Sequence, residues 1–305
     1  MKNLFCFNFL LKFFIKTGEI NSTKFKKLLP ILVLLIVLLS LGAVAASEDV
    51  GTSTEIDNNV LSEAQQVNYA DDSFSALNEL IQAEGNESTL DHNYKYNATT
   101  DDAFVDGIVI DKDLIINGNN TVIDGINVAR IFNITNSNLT LNDLTLQNGY
   151  ASVGGAIYSS NNVNLTCNNV NFTGNNASKY GGAIYAVNDV FINATGDVIF
   201  KDNTVCYSGG PIYSNGVDID AVGDVSFINN NANTYGGALY LSKRESSVNN
   251  VTFIGNKAKN GSAIYVHSNA VLSINDCYAD NTQLIYDKGT ITNATLVVLG
   301  KFFNN

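Results

Sequence analysis

From about residue 105 the chain alternates short apolar runs with polar turns. GIVI, DLII, TVID, RIFNI and DLTL are separated by pieces such as NGNN and TNSN. The runs are rich in Val, Ile, Leu and Thr and show no helical period, so they predict short strands joined by tight turns. One earlier segment has the other period. In SFSALNELIQAEG, Phe74, Leu77, Leu80 and Ile81 fall on one helical face, Ser73 is placed to N-cap and Gly85 to stop, which predicts an amphipathic helix over 73–84. STLDHNYKYN, which follows, reads as extended, and Asp101-Asp102 reads as linker.

The strand region repeats itself. GGAIY at 154–158 returns as GGAIY at 181–185, GGPIY at 209–213, GGALY at 236–240 and GSAIY at 261–265, at steps of 27, 28, 27 and 25 residues. Ahead of the later copies stands a second motif, F-x-x-N, at Phe172–Asn175, Phe200–Asn203, Phe227–Asn230 and Phe253–Asn256. LQNG at 146–149 reads as its beginning and YADN at 278–281 as a worn fifth copy. A period of this length holding about three short strands predicts an all-β, parallel β-helix, in which no unit buries its apolar face alone. About seven coils, one strand spacing apart, would make a rod of about 35 Å.

In such a stack each residue meets its own copies above and below. Phe172, Phe200, Phe227 and Phe253 are expected inside, and Asn175, Asn203, Asn230 and Asn256 as a turn ladder of paired amides. Gly181-Gly182, Gly209-Gly210 and Gly236-Gly237 let the backbone bend into the next strand. Alternation then turns Ile157, Ile184, Ile212, Leu239 and Ile264 inward and sets Tyr158, Tyr185, Tyr213, Tyr240 and Tyr265 as an external stripe.

Charge and leader add localisation. Residues 26–46, KKLLPILVLLIVLLSLGAVAA, put two lysines before an apolar run that ends at an A-x-A site. Residues 1–46 thus read as a signal peptide cleaved near Ala45, or, if retained, as a membrane anchor. Residues 47–72 read as a polar stalk, 73–104 as an N-terminal cap and 105–305 as the β-helix. The chain sums to −12, and residues 1–46 hold six Lys and one Glu, so the remainder carries 11 basic against 28 acidic residues, a net of −17. Such a body does not bind nucleic acid by neutralising phosphates, and it is expected to stay soluble and monomeric.

The paired GGA[ILV] and F-x-x-N motifs resemble the repeats of chlamydial polymorphic outer-membrane proteins. The stretch from GIVIDKDLIINGNNTVIDG to LTLNDLTLQNG is similar to the opening coils of adhesin-like surface proteins of methanogenic archaea. The resemblance covers about residues 70–300. It implies a right-handed, pectin-lyase-like β-helix on the cell surface that attaches cells to host or microbial glycans or proteins; from the residues themselves, no enzymatic activity and no cofactor are expected.

Candidate chemistry is sparse. A polysaccharide lyase or hydrolase on the same fold is the alternative reading, and a passive surface coat a third. The only arginines, Arg130 and Arg244, are about four coils apart, too far to share a site. No metal is expected; the nearest approach to a cation site is Asp218 and Asp220, alternate residues of GVDIDAVGD. The tyrosine stripe is the expected binding surface, and a purely structural role, Tyr being a good strand residue, is its equal. Cys167, Cys206 and Cys277 lack metal or disulfide spacing and read as buried small hydrophobes.

Overall fold

The computed structural model describes residues 72–83, 85–280, 285–292 and 296–298. The leader, almost all of the stalk and the last residues of the chain lie outside the described residues. Among the described residues, no helix is long and apolar enough to cross a membrane.

Among the described residues, parallel strands wind into a β-solenoid with three sheets. An eight-stranded sheet runs from Ile108–Ile110 to Ile285–Asp287 and carries the adjacent Ile-Tyr and Leu-Tyr pairs of the repeat. A four-stranded sheet, from Tyr150–Val153 to Asn231–Ala232, lies just upstream of the GG bends. The largest, of fifteen strands, forks. The coils up to Val163–Thr173 cross it as one long strand. After it the strand divides, so that Asp189–Ala194 pairs with the first half of Val163–Thr173 and Val198–Lys201 with the second. Of the early long strands, the first bends on two left-handed residues, Asn119 and Asn120 (φ 50° and 64°), and the others on one each, Asp143 (φ 48°) and Asn169 (φ 54°); the next coil turns instead through Thr195-Gly196-Asp197 and breaks the ladder. A coil therefore carries up to four strand segments where the hydrophobic pattern predicts three.

The register explains the repeat. Ile157, Ile184, Ile212, Leu239 and Ile264 are paired rung to rung and fully buried. Phe172, Phe200, Phe227 and Phe253 stack inside, with ring centroids 4.7, 4.8 and 5.3 Å apart. Leu146 pairs with Phe172 and begins the column. The column does not continue into YADN: Tyr278 pairs with Thr252, and Ala279 takes the place opposite Phe253. Period-two alternation puts Cys277 and Ala279 inside and leaves Tyr278 exposed.

The asparagine ladder is buried. The side-chain amide of Asn175 donates to Oδ1 of Asn203 at 3.1 Å, Asn203 to Asn230 at 3.0 Å and Asn230 to Asn256 at 2.9 Å. Each also donates one coil back, Asn203 to the carbonyl of Phe172 at 2.9 Å and Asn230 to that of Phe200 at 2.9 Å. Each Oδ1 accepts a backbone N–H of the preceding coil, beginning with Gly149 on Asn175 at 2.9 Å. Such a bend inside the rod has no water to satisfy its polar groups, and the amide column does so instead.

The GG pairs divide two tasks. Gly181 is left-handed (φ 60°), as is the first glycine of each other pair. The second is excluded from having a side chain by the next coil: a Cβ on Gly210 would lie 1.9 Å from the carbonyl oxygen of Gly237.

The helix α1 spans Phe74–Gln82, and the Ser73 side chain accepts from Ala76 N–H at 3.1 Å. Phe74, Leu77 and Ile81 are buried in the same core that runs down the solenoid. Asp101 is not linker. It is fully buried and accepts from Phe74 N–H at 2.9 Å, Ser75 N–H at 3.2 Å, Ser75 Oγ at 2.7 Å and Asn97 N–H at 2.8 Å. It supplies the anion that the helix N-terminus attracts. Burial opposes its charge, but the hydrogen bonds from Ser75, Asn97 and Phe74 outweigh burial and hold the Asp101 carboxyl below the usual range. A lowered folded value means that this stabilisation is present above the unfolded carboxylate value of about 3.9 and is lost as pH falls through the folded one. Asp101→Asn is expected to cost about 2 kcal/mol at neutral pH and to flatten the acid limb of stability. Thermal melts of both proteins from neutral to strongly acidic pH check this; parallel acid limbs would contradict it.

Candidate functional site: the tyrosine face

The outward side chains of the eight-stranded sheet begin as Val109 and Asn133 and then become tyrosine at every rung, Tyr158, Tyr185, Tyr213, Tyr240, Tyr265 and Tyr286. Parallel pairing sets each ring over the next. Successive centroids are 5.9, 5.4, 4.5, 4.9 and 5.6 Å apart, with ring planes within 16° of parallel. Both ends are closed by cations. The Arg130 guanidinium lies 5.1 Å from the Tyr158 centroid and the Lys288 ammonium 6.0 Å from that of Tyr286. Arg130 is itself buried and donates to the carbonyls of Asp106, Val153 and Gly154 at 2.7, 3.1 and 3.0 Å.

Stacking changes what the stripe offers. The ring faces are taken up by one another and by the two cations, so the ladder turns its edges outward. Nor is the stripe external at every rung: Tyr265 is only 3 % exposed. The cause is a second row set just before the GG bends, in which Tyr180, Ser208, Tyr235 and Asn260 occupy one column. Tyr180 leans over the place left by Ser208 and lies 4.7 Å from Tyr213; Tyr235 leans over Asn260 and lies 4.5 Å from Tyr265. Beside Tyr180, at 6.3 Å, stands Tyr207, 57 % exposed. Freely accessible aromatic surface therefore lies on Tyr207 more than on the ladder.

Burial, with the neighbouring Tyr185 and Tyr180, pushes the Tyr213 phenol up to about 12; burial also raises Tyr185, Tyr240 and Tyr265. These hydroxyls stay protonated at physiological pH and are hydrogen-bond donors there. The hydrophobic pattern did not single out Tyr286, whose strand has no GG before it, nor Tyr180, Tyr207 and Tyr235. The signals were present as the I-Y of 285–286 and as a tyrosine one or two residues ahead of GG.

The carboxylates do not converge with this face. Asp218 and Asp220 project from the largest sheet, alternating with the inward Val217 and Ile219. Asp218 accepts from Ser247 N–H at 2.8 Å, and its carboxyl is raised by burial and by Asp189 and Glu245. Asp189 reaches across Gly216 to Arg244, at 2.7 Å. Among the described residues no group of three His, Cys, Asp or Glu side chains is arranged to hold a metal ion. Cys167 and Cys277 are buried, with thiols pushed up by burial to about 12 and about 11, whereas Cys206 is exposed, a correction to the expectation for all three.

The decisive comparison concerns the repeat. A family model described as the Chlamydia polymorphic membrane protein repeat matches residues 169–187, 224–242 and 250–267. The chain carries polymorphic-membrane-protein-type repeats. Each matched segment holds one F-x-x-N motif and one glycine bend, so one repeat is the passage from the phenylalanine column, through the buried asparagine, to the tyrosine ladder. The coil between the first two matches, with GGPIY, keeps the same register: Phe200 pairs with Phe172 and Tyr213 with Tyr185. No curated protein and no solved structure was found to match the chain.

Proposed function

We propose that this protein is a non-catalytic, adhesin-like component of the cell surface that attaches cells to one another or to glycans through a lateral face of the solenoid. The observation that carries the reading is the occurrence of polymorphic-membrane-protein-type repeats in a β-solenoid, since that repeat is described from a membrane protein family. A solenoid face suits attachment because it is long, flat and rigid and repeats its chemistry at every strand spacing. The side with the second tyrosine row is the favoured face, for Tyr207 presents an open ring there.

The test incubates the full chain with whole cells and immobilised polysaccharides, reading bound protein and released sugar from the same wells. Saturable binding without release is expected. Released oligosaccharide would replace this reading with a carbohydrate-cleaving enzyme and direct attention to Asp189, Asp218 and Arg244. Neither signal would leave a passive coat component.

A further inference from the structure

In the coils of residues 149–280 the acidic residues are not spread around the rod, although the next rung carries Asp287 on the tyrosine sheet. Residues 149–280 contain nine Asp and Glu. None falls in 149–159, 175–186, 203–214, 230–241 or 256–266. Those five stretches are the four-stranded sheet and its continuation, the glycine bends and the Ile-Tyr strands of successive coils. All nine carboxylates lie on the largest sheet and its turns, together with Lys201, Lys243 and Arg244, which leaves that side at −6. The acid-free side carries Lys179, Lys257 and Lys259 and stands at +3.

These three lysines are exposed, and among the described residues none of them is ion-paired. Lys179 and Lys259 directly precede Tyr180 and Asn260, which share a column three coils apart, so the backbones of the two lysines are about 14 Å apart along the rod. Lys257 pairs with Asn231 one column away. Between the cations lie the exposed ring of Tyr207 and the polar side chains of Thr204, Asn233 and Thr234. Ordinary solubilising lysines on a body with net charge −17 would be interspersed with carboxylates; here three of the six cations of residues 149–280 share the strip with the aromatics, and none of the nine carboxylates falls within it.

Resting on the attachment reading, we infer that this acid-free strip binds an anionic polysaccharide, a sugar chain bearing carboxylate or sulfate groups that runs along the rod. Lys179, Lys257 and Lys259 meet its charges, Tyr207 stacks on a sugar ring and the Asn and Thr groups meet its hydroxyls. Charge sorting carries the choice. A neutral glycan gives the lysines no partner, and of the nine carboxylates Asp202 and Asp280 border the strip at its turns while the others lie further round the largest sheet, where charge is screened beyond about 8 Å at physiological ionic strength.

Native electrophoresis of the full chain through gels containing chondroitin sulfate, polygalacturonate or dextran tests this. Retardation is expected with one or both anionic polymers and not with dextran, and it should weaken as salt is added. Lys179→Gln/Lys257→Gln/Lys259→Gln should weaken retardation about tenfold and Tyr207→Ala about fivefold. Lys201→Gln/Lys243→Gln, which removes cations from the other side, should leave it unchanged. All of these side chains are exposed, so the variants should melt with the parent protein. Equal retardation by dextran, or equal loss in both lysine variants, would overturn the inference while leaving attachment standing. Binding to cells with no retardation in any gel would do the same and point to a protein partner. Mutual association of the chain that disappears in the triple variant would assign the strip to a second copy instead. If neither cells nor gels bind the chain, the attachment reading fails as well.

Discussion

Asn203→Ala is expected to destabilise the solenoid by about 4 kcal/mol, although it removes one polar side chain from a protein rich in asparagine. The Asn203 amide donates to the carbonyl of Phe172 and to Asn230, and its oxygen accepts both the backbone N–H and the side-chain amide of Asn175. All these groups are shut off from water, and each donor or acceptor left without a partner costs about 1–3 kcal/mol. The comparison that isolates the cause is Asn164→Ala. Asn164 also belongs to an amide pair, donating to Asn138 at 2.7 Å, but that pair is exposed and water replaces it. Its loss should cost less than about 1 kcal/mol. Urea unfolding followed by circular dichroism gives both values. Similar costs for the two variants would show that burial of the ladder contributes nothing.

The second large effect is expected at Gly210. An alanine methyl there would meet the carbonyl oxygen of Gly237 at 1.9 Å and its carbon at 2.6 Å, and both are backbone atoms of the next coil. Neither side can yield without breaking the rung, so Gly210→Ala should cost about 3 kcal/mol or more. Gly174→Asn makes the contrast. Gly174 is left-handed (φ 63°), but the same turn column holds Asn148, Asp202 and Asn229 at φ of 49°, 55° and 54°. Asparagine tolerates that conformation, so Gly174→Asn should be close to neutral. Thermal midpoints of the two variants decide the matter; a tolerated Gly210→Ala would mean that successive GG bends are not packed against each other.

Much of this fold was legible because a parallel solenoid makes each residue's environment repeat. The period of GGAIY and F-x-x-N gives the coil, and period-two alternation within the adjacent Ile-Tyr pair gives the inward Ile and the outward Tyr. Two kinds of information were not readable in that way. The first is how far a column continues. YADN keeps the letters of its motif, but the burial of Cys277 and Ala279 shifts Tyr278 out of the phenylalanine column. The second is contact between columns. That Tyr235 covers Tyr265, or that Asp101 reaches back to the N-terminus of α1, depends on how side chains lean across coils, which a one-dimensional period does not encode. The segregation of charge lies between these cases. The acid-free stretches are plain in the sequence once the coil boundaries are known, and invisible before.

The lateral face, its charge and its tyrosines all depend on successive coils being stacked in one register, and a cysteine pair measures that directly. Thr166 and Asn193 are paired rung to rung. Neighbouring parallel strands bring such Cα atoms to about 4.8 Å, within the range a disulfide spans. Thr166→Cys/Asn193→Cys, built in a background with Cys206→Ser, should close to a disulfide under mild oxidation and raise the unfolding temperature. Thr166→Cys/Thr195→Cys, displaced by one outward position, should stay reduced. If the displaced pair closes and the paired one does not, the coils are out of the register described and the tyrosine ladder with them.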